Sequence, residues 1–266
     1  MDKIVWDRFN GTIERRVDGY YVTLPWKDQY PHLPDNKAIA YRRLVSVWNS
    51  PSKDEQLLDR YNSVFKDQLH QKIIEIVQEG DPVQGNHVHY IPHQPVLTSQ
   101  KTTMKVRIVF DALAHYKGSP SLNDVLYIGP VILPPLYGLL LLFRIGKIAV
   151  IADVEKAFLQ VRLHEKDRDA TRCLWLHNHK FPPSPANVQT LRFTRVTFGI
   201  KSSPFLLTRT MYYHLKSYKT ESDIVQELKD NLYVDNLILT TDSIDRAIHL
   251  YKRSKQMFQD LNMNLR

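Results

Sequence analysis

Several kinds of protein are excluded by what the 266-residue chain lacks. It has a single cysteine, Cys173, so a disulfide within the chain and a zinc site built from several cysteines are both excluded. A reducing intracellular compartment is the interpretation that fits one cysteine best. The chain shows no internal repeat and no long low-complexity segment. Its opening stretch, MDKIVWDRFNGTIERR, carries charges every few residues and does not resemble a signal peptide.

The chain also lacks an uninterrupted apolar run of the length that a membrane span needs, about 20 residues. Residues 129–151 come nearest, but prolines and basic residues interrupt them at Pro130, Pro134, Pro135, Arg144 and Lys147. This pattern predicts a helix from Pro135 to Phe143 and then a buried strand. We therefore expect that this segment does not cross a membrane, and it predicts no membrane partner.

What the chain has is a surplus of positive charge and enough apolar residues for a core. Lysine and arginine together number 36 against 28 acidic residues, which gives a formal charge of +8, and 43% of the residues are hydrophobic. The length suits one large domain or two small ones. The charge favours a polyanionic partner, either nucleic acid or an acidic membrane surface, and does not choose between them.

The first third of the chain is predicted to form strands and turns followed by two helices. Residues 1–34 are predicted to form one or two strands with turns, because YYVTLPW alternates in polarity and Pro25, Pro31 and Pro34 break the segment. A helix is predicted to follow Asp35 or Asn36 as its cap. A longer helix, opened by the capping box SKDE, is predicted over residues 52–77, and Gly80 stops it.

From Gly85 onward, short strands alternate with turns and helices. Strands are predicted in HYIPHQPVL, KVRIVFDAL, KIAVIADV, TRCLWLH and LRFTRVTF, and a helix is predicted to begin near Ser203. The run LYVDNLILT predicts a hairpin with Asp235 at its bend. A last helix is predicted from about Ser243, with the inward-facing side chains Ile244, Ile248, Tyr251, Phe258 and Leu261.

Two acids stand out because each follows an apolar strand. Asp153 ends the run KIAVIAD, and Asp235 is presented by the hairpin. Acids at strand ends of one sheet can converge on shared Mg²⁺ ions, which take hard oxygen ligands and leave positions for substrate phosphates. Two such ions, about 3.5–4 Å apart, stabilise the attacking and leaving oxygens of a phosphoryl transfer. That chemistry would justify burying the carboxylates. The alternative is that each acid is an ordinary turn residue.

Three segments, two of which contain these acids, resemble the successive palm motifs of reverse transcriptases in order and spacing: ADVEKAF at 152–158, FGIKSSP at 198–204 and YVDN at 233–236. Further segments, among them YYVTLPW, YIPHQPV, KVRIVFDA and SLNDVL, are similar to the reverse transcriptase region of BEL/Pao-type LTR retrotransposons. The resemblance covers nearly the whole chain. It implies an α+β fold, with a polymerase palm and interleaved fingers over residues 85–266 after an N-terminal strand and helical region over residues 1–84.

The resemblance also implies roles for residues around the two acids. Asp153 and Asp235 would bind Mg²⁺ or Mn²⁺ together with the backbone carbonyl of Val154. Phe158 would be the aromatic gate that excludes a 2′-hydroxyl on the nucleotide sugar. These residues would catalyse transfer of a deoxynucleotide to a primer 3′-hydroxyl, with loss of pyrophosphate.

Other implied residues would bind the nucleotide. Arg107 would contact the incoming triphosphate, because a guanidinium suits phosphate geometry, with Lys101 and Lys105 as further candidates. Gly199 would let the backbone approach the template or the nucleotide closely. The implied partners are a dNTP and an RNA or DNA template with its primer, in the cytoplasm or the nucleus.

The chain departs from the family pattern in two places. Asn236 stands where the family has a second aspartate, and an amide supplies no negative charge to a site that holds divalent cations. The sequence stops at NLR, so we expect the thumb to be missing and the chain to be a fragment. Both departures predict weakened polymerisation. The alternatives are a catalytically inactive module that binds nucleic acid through its basic surface, and a relic that does not fold stably.

Some of the singled-out residues have ordinary structural interpretations. Taken by itself, Phe158 could be a core aromatic. His87, His89 and His93 could bind zinc, but no fourth ligand is near them in the sequence. Basic residues are interpreted as solvated faces and tryptophans as core, rather than as nucleic-acid contacts; these are Arg42, Arg43, Arg192, Arg195, Lys252, Arg253, Lys255, Trp48 and Trp175.

Overall fold

The computed structural model describes residues 2–50, 55–98 and 105–266, which form an α+β fold. The helices are α1 (Asp2–Thr12), α2 (Lys37–Trp48), α3 (Glu55–His70), α4 (Leu122–Val125), α5 (Leu136–Leu142), α6 (Glu165–Arg168), α7 (Ser203–Leu215), α8 (Ser222–Asp230) and α9 (Ile244–Gln259). The strands are β1 (Glu14–Arg16), β2 (Gly19–Val22), β3 (Ile74–Val77), β4 (His93–Thr98), β5 (Lys105–Phe110), β6 (Ile148–Asp153), β7 (Arg162–Leu163), β8 (Arg172–Leu176), β9 (Val188–Phe193), β10 (Leu232–Tyr233) and β11 (Asn236–Thr241). Short 3₁₀ helices lie at Ala157–Gln160, Asp169–Thr171 and Lys219–Glu221. Lys101 and most of the capping box at 52–55 lie outside the described residues.

The chain divides into two compact units, each made of segments that are distant in sequence. The first unit comprises residues 1–22, 129–162 and 203–266. The second unit comprises residues 23–128 and 163–202. The expected division at residue 84 concerns retroelement organisation and stays a prediction.

The first unit contains a small antiparallel sheet with the strand order β10-β11-β6. Side chains alternate between its faces, so the buried pair Ala152 and Leu237 points to one face, and the next pair, Asp153 and Asn236, points to the other. The first of these faces packs against α9. The second face is open, since Ile151, which lies on it, is 64% exposed. The strand before Asp153 was predicted to be buried, and only one of its faces is.

The second unit is built around the three-stranded sheet β3-β9-β8 and the two-stranded sheet β4-β5. Its core is aromatic: the rings of Phe65 and Trp175 stack at 4.5 Å, and Tyr61 meets Trp175 edge-on at 4.8 Å. Phe110 of β5 contacts Phe193 of β9 in the same way at 4.8 Å. Trp175 is 2% exposed, which confirms its assignment to the core.

Several helices begin or end where the sequence predicts. Asn36 precedes α2, and the Asp35 carboxylate accepts a hydrogen bond from the Lys37 N–H. Pro135 precedes α5, and the hydroxyl of Ser243 accepts from the Arg246 N–H at the start of α9. These boundaries follow from local signals, namely the hydrogen bonds accepted by Asp35 and Ser243 and the fixed φ of Pro135, so the sequence alone was sufficient to place them.

Predictions in the first third of the chain are partly right. Residues 1–34 contain the predicted strands, β1 and β2, but residues 2–12 form the helix α1, which was not predicted. Val5 and Phe9 lie one turn apart in it and are buried together, with Phe9 packed edge-on against Phe205 of α7. The long helix ends at His70 and does not continue to residue 77. Its expected last turns form β3, because the β-branched residues there pair with β9.

The C-terminal helices also differ from the prediction. Helix α8 was not predicted, although its Ile224, Val225 and Leu228 form a buried stripe. In α9 the buried side chains are Ala247, Leu250, Ser254, Met257 and Phe258. Of the predicted inward residues, Phe258 and Leu261 are buried, whereas Ile244, Ile248 and Tyr251 are exposed. Apolar residues occur on both sides of this helix, so periodicity could not decide which side faces the sheet.

None of the helices in the described ranges has both the length and the apolar character that crossing a membrane requires.

Candidate active site

The β6-β11 pairing brings the two predicted acids together in the first unit. Asp153 is the last residue of β6, and Asp235 lies in the turn between β10 and β11. The N–H of Val154 donates a hydrogen bond of 2.8 Å to the carbonyl oxygen of Asp235, and Asn236 lies directly opposite Asp153. Asp153, Val154, Asp235 and Asn236 therefore occupy one end of the sheet, although they come from distant parts of the sequence.

The hairpin turn that presents Asp235 is tight and strained. Leu232 pairs with Leu237, and Tyr233 pairs with Asn236, so only Val234 and Asp235 remain for the turn. Val234 has φ 58°, a left-handed conformation that a β-branched residue rarely adopts. Lys156, three residues after Asp153, also has a positive φ, 50°. Strained backbone of this kind collects at functional sites when the surrounding structure holds it in place.

The acids are only half-buried, contrary to the expectation that the carboxylates would be buried. The Asp153 side chain is 45% exposed, Asp235 is intermediate and Asn236 is exposed. The open face of the sheet accounts for this, because Asp153 and Asn236 point away from the buried pair Ala152 and Leu237.

Each acid has a polar neighbour. The Asn236 amide donates a hydrogen bond of 2.8 Å from Nδ2 to Oδ1 of Asp235. Arg266 approaches Asp153, with its Nε 3.1 Å from Oδ2, and its Nη1 lies 3.7 Å from Oε1 of Glu155. The Asn264 amide donates to the other oxygen of Glu155 at 2.9 Å.

The oxygen atoms at this end of the sheet are of the type that a magnesium ion binds. They include the carboxylates of Asp153 and Asp235, both partly exposed, and the hydrogen bond from the Val154 N–H to the Asp235 carbonyl oxygen holds the two segments together. In the described part of the chain, no group of three or more histidine, cysteine or acidic side chains is arranged to hold a metal. Magnesium is commonly bound by one or two carboxylates, with water and substrate phosphates completing its shell. A site with only two acids is thus compatible with magnesium and is open to a phosphate ligand.

Phe158 lies in the first unit, in the 3₁₀ helix Ala157–Gln160, which packs against α7. Its side chain is 9% exposed, so most of the ring belongs to the core of this unit. The interpretation of Phe158 as a core aromatic therefore holds for most of its side chain. Its role as a gate stays a prediction.

The other predicted nucleotide-binding residues lie in the second unit. Arg107 is an exposed residue of β5, opposite Val96 of β4, and Lys105 begins the same strand. Gly199 has φ 93°, and a Cβ at this position would lie 2.2 Å from the carbonyl oxygen of Phe110. Close backbone approach at Gly199 is therefore required within the chain itself, whether or not a template also comes near.

The three histidines that could have formed a zinc site have other partners, all in the second unit. His89 Nδ1 lies 2.7 Å from the Pro34 carbonyl oxygen. His87 Nε2 is hydrogen-bonded to the Tyr30 hydroxyl. His93 is fixed between the Tyr61 hydroxyl and the Leu174 carbonyl oxygen, and its burial lowers the pKa of its ring to about 4. These contacts give each histidine a structural role.

Three residues at this site were not predicted from the sequence: Arg266, Asn264 and Glu155. Glu155 was visible inside the motif ADVEKAF, two residues after Asp153. Arg266 and Asn264 carry no local signal, because they reach the acids only through backbone pairing of residues 264–266 with the end of β6.

Comparison with known families agrees with this geometry. Residues 139–266 match the model of the family described as reverse transcriptase (RNA-dependent DNA polymerase). The matched range contains β6 with Asp153, the helix α7 and the hairpin with Asp235. A search of curated proteins found no match to the chain. The segment that carries both acids is therefore similar to the reverse transcriptase family.

Proposed function

We propose that the chain is an RNA-directed DNA polymerase domain of retrotransposon origin, of the BEL/Pao type. In the reaction, the 3′-oxygen of a primer attacks the α-phosphorus of a dNTP, a new phosphodiester bond forms, and the bond to pyrophosphate breaks. The observation that carries this proposal is the hydrogen bond from the Val154 N–H to the Asp235 carbonyl oxygen, which brings the segments that carry Asp153 and Asp235 together at one end of the sheet. The family match over residues 139–266 supports it.

In this proposal, Asp153, Asp235 and the carbonyl of Val154 hold Mg²⁺, or Mn²⁺ in its place. The bound ions would neutralise charge that develops on the attacking and leaving oxygens. The carboxylates would bind and orient the ions, and their partly exposed position leaves room for the triphosphate. Asn236 adds an amide and no charge to this set.

The remaining roles follow from the resemblance. Phe158 would limit the sugar to one without a 2′-hydroxyl, and Arg107 and Lys101 would bind the triphosphate. Gly199 would lie near the nucleotide or the template. The architecture would be a palm with interleaved fingers at 85–266, with residues 1–84 as an N-terminal region. The excess of basic residues in the chain, 36 lysine and arginine residues against 28 acidic ones, suits a nucleic-acid partner.

The direct test is primer extension on an RNA template with Mg²⁺ or Mn²⁺. The chain as written is compared with Asn236→Asp, Asp153→Ala, Asp235→Ala and the control Asp245→Asn, an exposed acid in the first turn of α9. We expect weak extension that Asn236→Asp increases, that both alanine variants abolish and that the control leaves unchanged. Extension that survives loss of both acids would contradict the proposal.

A second candidate function is nucleic-acid binding without catalysis. Two observations favour it: Asn236 occupies the position of an acid, and Arg266 neutralises Asp153. In that case the chain would bind a primer–template duplex with an affinity that falls steeply with salt, because phosphate contacts release counterions. Binding of this kind, with no extension by the chain or by Asn236→Asp, would identify this function.

A further inference from the structure

We propose that Arg266 is the resident counter-cation of the candidate active site and that it lowers the affinity of Asp153 for a divalent cation. This inference rests on the proposed function, because it takes Asp153 as a metal-binding acid. It concerns a residue that lies outside the three palm motifs and that enters the site only in the folded chain.

The backbone fixes the position of Arg266. The N–H of Asp153 donates to the Arg266 carbonyl at 2.8 Å, and the N–H of Arg266 donates to the Asp153 carbonyl at 3.0 Å. Val154 and Leu265 form the next bridge, and the N–H of Glu155 donates to the Asn264 carbonyl at 2.9 Å. This is an antiparallel ladder, and residues that exchange both hydrogen bonds across it project their side chains on the same face. The register therefore places Arg266 beside Asp153.

The side chain uses this position to contact two acids at once. Nε lies 3.1 Å from Oδ2 and 3.4 Å from Oδ1 of Asp153, so both carboxylate oxygens face the guanidinium. Nη1 lies 3.7 Å from Glu155, whose other oxygen is held by Asn264. A guanidinium is permanently charged and matches a carboxylate in shape. Arg266 thus occupies the same oxygens that a metal ion at Asp153 would need.

Asp153 consequently has a neutral neighbour on one strand and a cation on the other. Asn236 lies opposite it on β11, and Arg266 lies opposite it on the other side, in the C-terminal segment 264–266. A divalent ion at Asp153 has to displace the guanidinium and is repelled by its charge. The displacement needs only a side-chain movement, because the Arg266 side chain is 60% exposed while its backbone stays in the ladder.

The test is Mn²⁺ binding to the whole chain, measured from the electron paramagnetic resonance signal of the free ion. The variant is Arg266→Gln, and the matched control is Lys252→Gln, which removes the same charge from an exposed position on α9. We expect Arg266→Gln to bind Mn²⁺ about fivefold more tightly, the scale that a half-exposed ion pair supports. Lys252→Gln should bind like the unmodified chain, and Arg266→Lys should retain most of the weakening.

Asp153→Asn, introduced into the unmodified chain and into Arg266→Gln, separates this inference from the proposed function. If Mn²⁺ binding is lost with Asp153→Asn but Arg266→Gln and Lys252→Gln bind equally, Asp153 is a metal ligand and Arg266 has no influence on it, which overturns the inference alone. If Asp153→Asn leaves Mn²⁺ binding unchanged both in the unmodified chain and in Arg266→Gln, the proposed metal site fails and the inference fails with it. Thermal unfolding of each variant shows that a change in binding is not a loss of fold.

Discussion

Asp153 and Asn236 lie directly opposite each other in the antiparallel pair of β6 and β11. An aspartate at position 236 would place two carboxylates in register on one sheet face, next to Asp235. Like charges in directly opposed positions destabilise a sheet. The amide at 236 removes that repulsion and also donates a hydrogen bond to Asp235.

Asn236→Asp is therefore expected to lower the free energy of unfolding by about 1 kcal/mol in metal-free buffer. Added Mg²⁺ or Mn²⁺ should stabilise this variant more than the unmodified chain, because a ligand that binds only the folded state adds to its stability. Thermal unfolding with and without metal measures both effects. The double variant Asn236→Asp with Asp153→Asn should lose most of the metal-free destabilisation; if it does not, repulsion from Asp153 is not the cause.

Val234 offers a test of backbone strain at the hairpin turn. Its φ of 58° is costly for any residue with a Cβ, by roughly 1–2 kcal/mol, and free for glycine. We expect Val234→Gly to be more stable than Val234→Ala by about 1 kcal/mol, the reverse of the usual order. At the neighbouring strand position Ile238 the order should be the usual one, with alanine more stable than glycine. Urea unfolding of the four variants measures this, and the same order at both positions would show that the turn is not strained.

A buried ionic cluster in the second unit, Asp169 with Arg172 and Arg192, predicts a large loss of stability. Oδ1 of Asp169 accepts hydrogen bonds of 2.9 Å from both arginines, and Arg192 also donates to Glu75 at 2.7 Å. Burial opposes ionisation of Asp169, but the bonds from Arg192, Gln84 and Arg172 hold its pKa below the usual value. Arg192 was expected on a solvated face, and that expectation is wrong, because its side chain is only 8% exposed.

Asp169→Asn would leave both guanidiniums without their shared carboxylate. Removing one partner of a buried ion pair costs about 3–5 kcal/mol, so we expect a loss of that order in the free energy of unfolding. Glu165→Gln, which breaks the more exposed pair with Arg168, should cost less than about 1 kcal/mol. Urea unfolding compares the two, and similar losses would mean that burial of Asp169 has no special energetic role.

His93 predicts how stability depends on pH. Burial lowers the pKa of its ring from 6.5 to about 4 in the folded chain, so the folded state binds fewer protons than the unfolded state in this range. The stabilising contribution is complete above pH 6.5 and is lost as the pH falls toward 4, by ~3 kcal/mol in total. His93→Gln can keep both hydrogen bonds without titrating. The difference in unfolding free energy between the two proteins should therefore shrink as the pH falls from 7 to 4.5, and parallel pH profiles would contradict this.

The local elements could be predicted because their signals are local. Asp35, Pro135 and Ser243 each stand at the start of a helix, where a side-chain hydrogen bond or a fixed φ acts within one turn. The hairpin around Asp235 has the predicted position and a two-residue turn. Asp153 and Asp235 could be singled out because each directly follows an apolar strand.

Other features could not be read from the sequence, because partners distant in the chain decide them. Residues 74–77 form a strand and not a helix since β9 pairs with them, and α9 turns Leu250 and Met257 inward because the sheet lies on that side. Gly199 is required by the carbonyl of Phe110.

By itself, the sequence determined which residues could supply the chemistry, Asp153 and Asp235 with Asn236, and the strands and helices that carry them. Only the tertiary structure decided that Asp153 is half-exposed on an open sheet face, that Asp235 lies in the adjoining turn and that Arg266 is paired with Asp153. The physical reason is that a strand's partners and its exposed face are set by hydrogen bonding and burial between segments far apart in sequence. Residue patterns within one segment do not record those contacts.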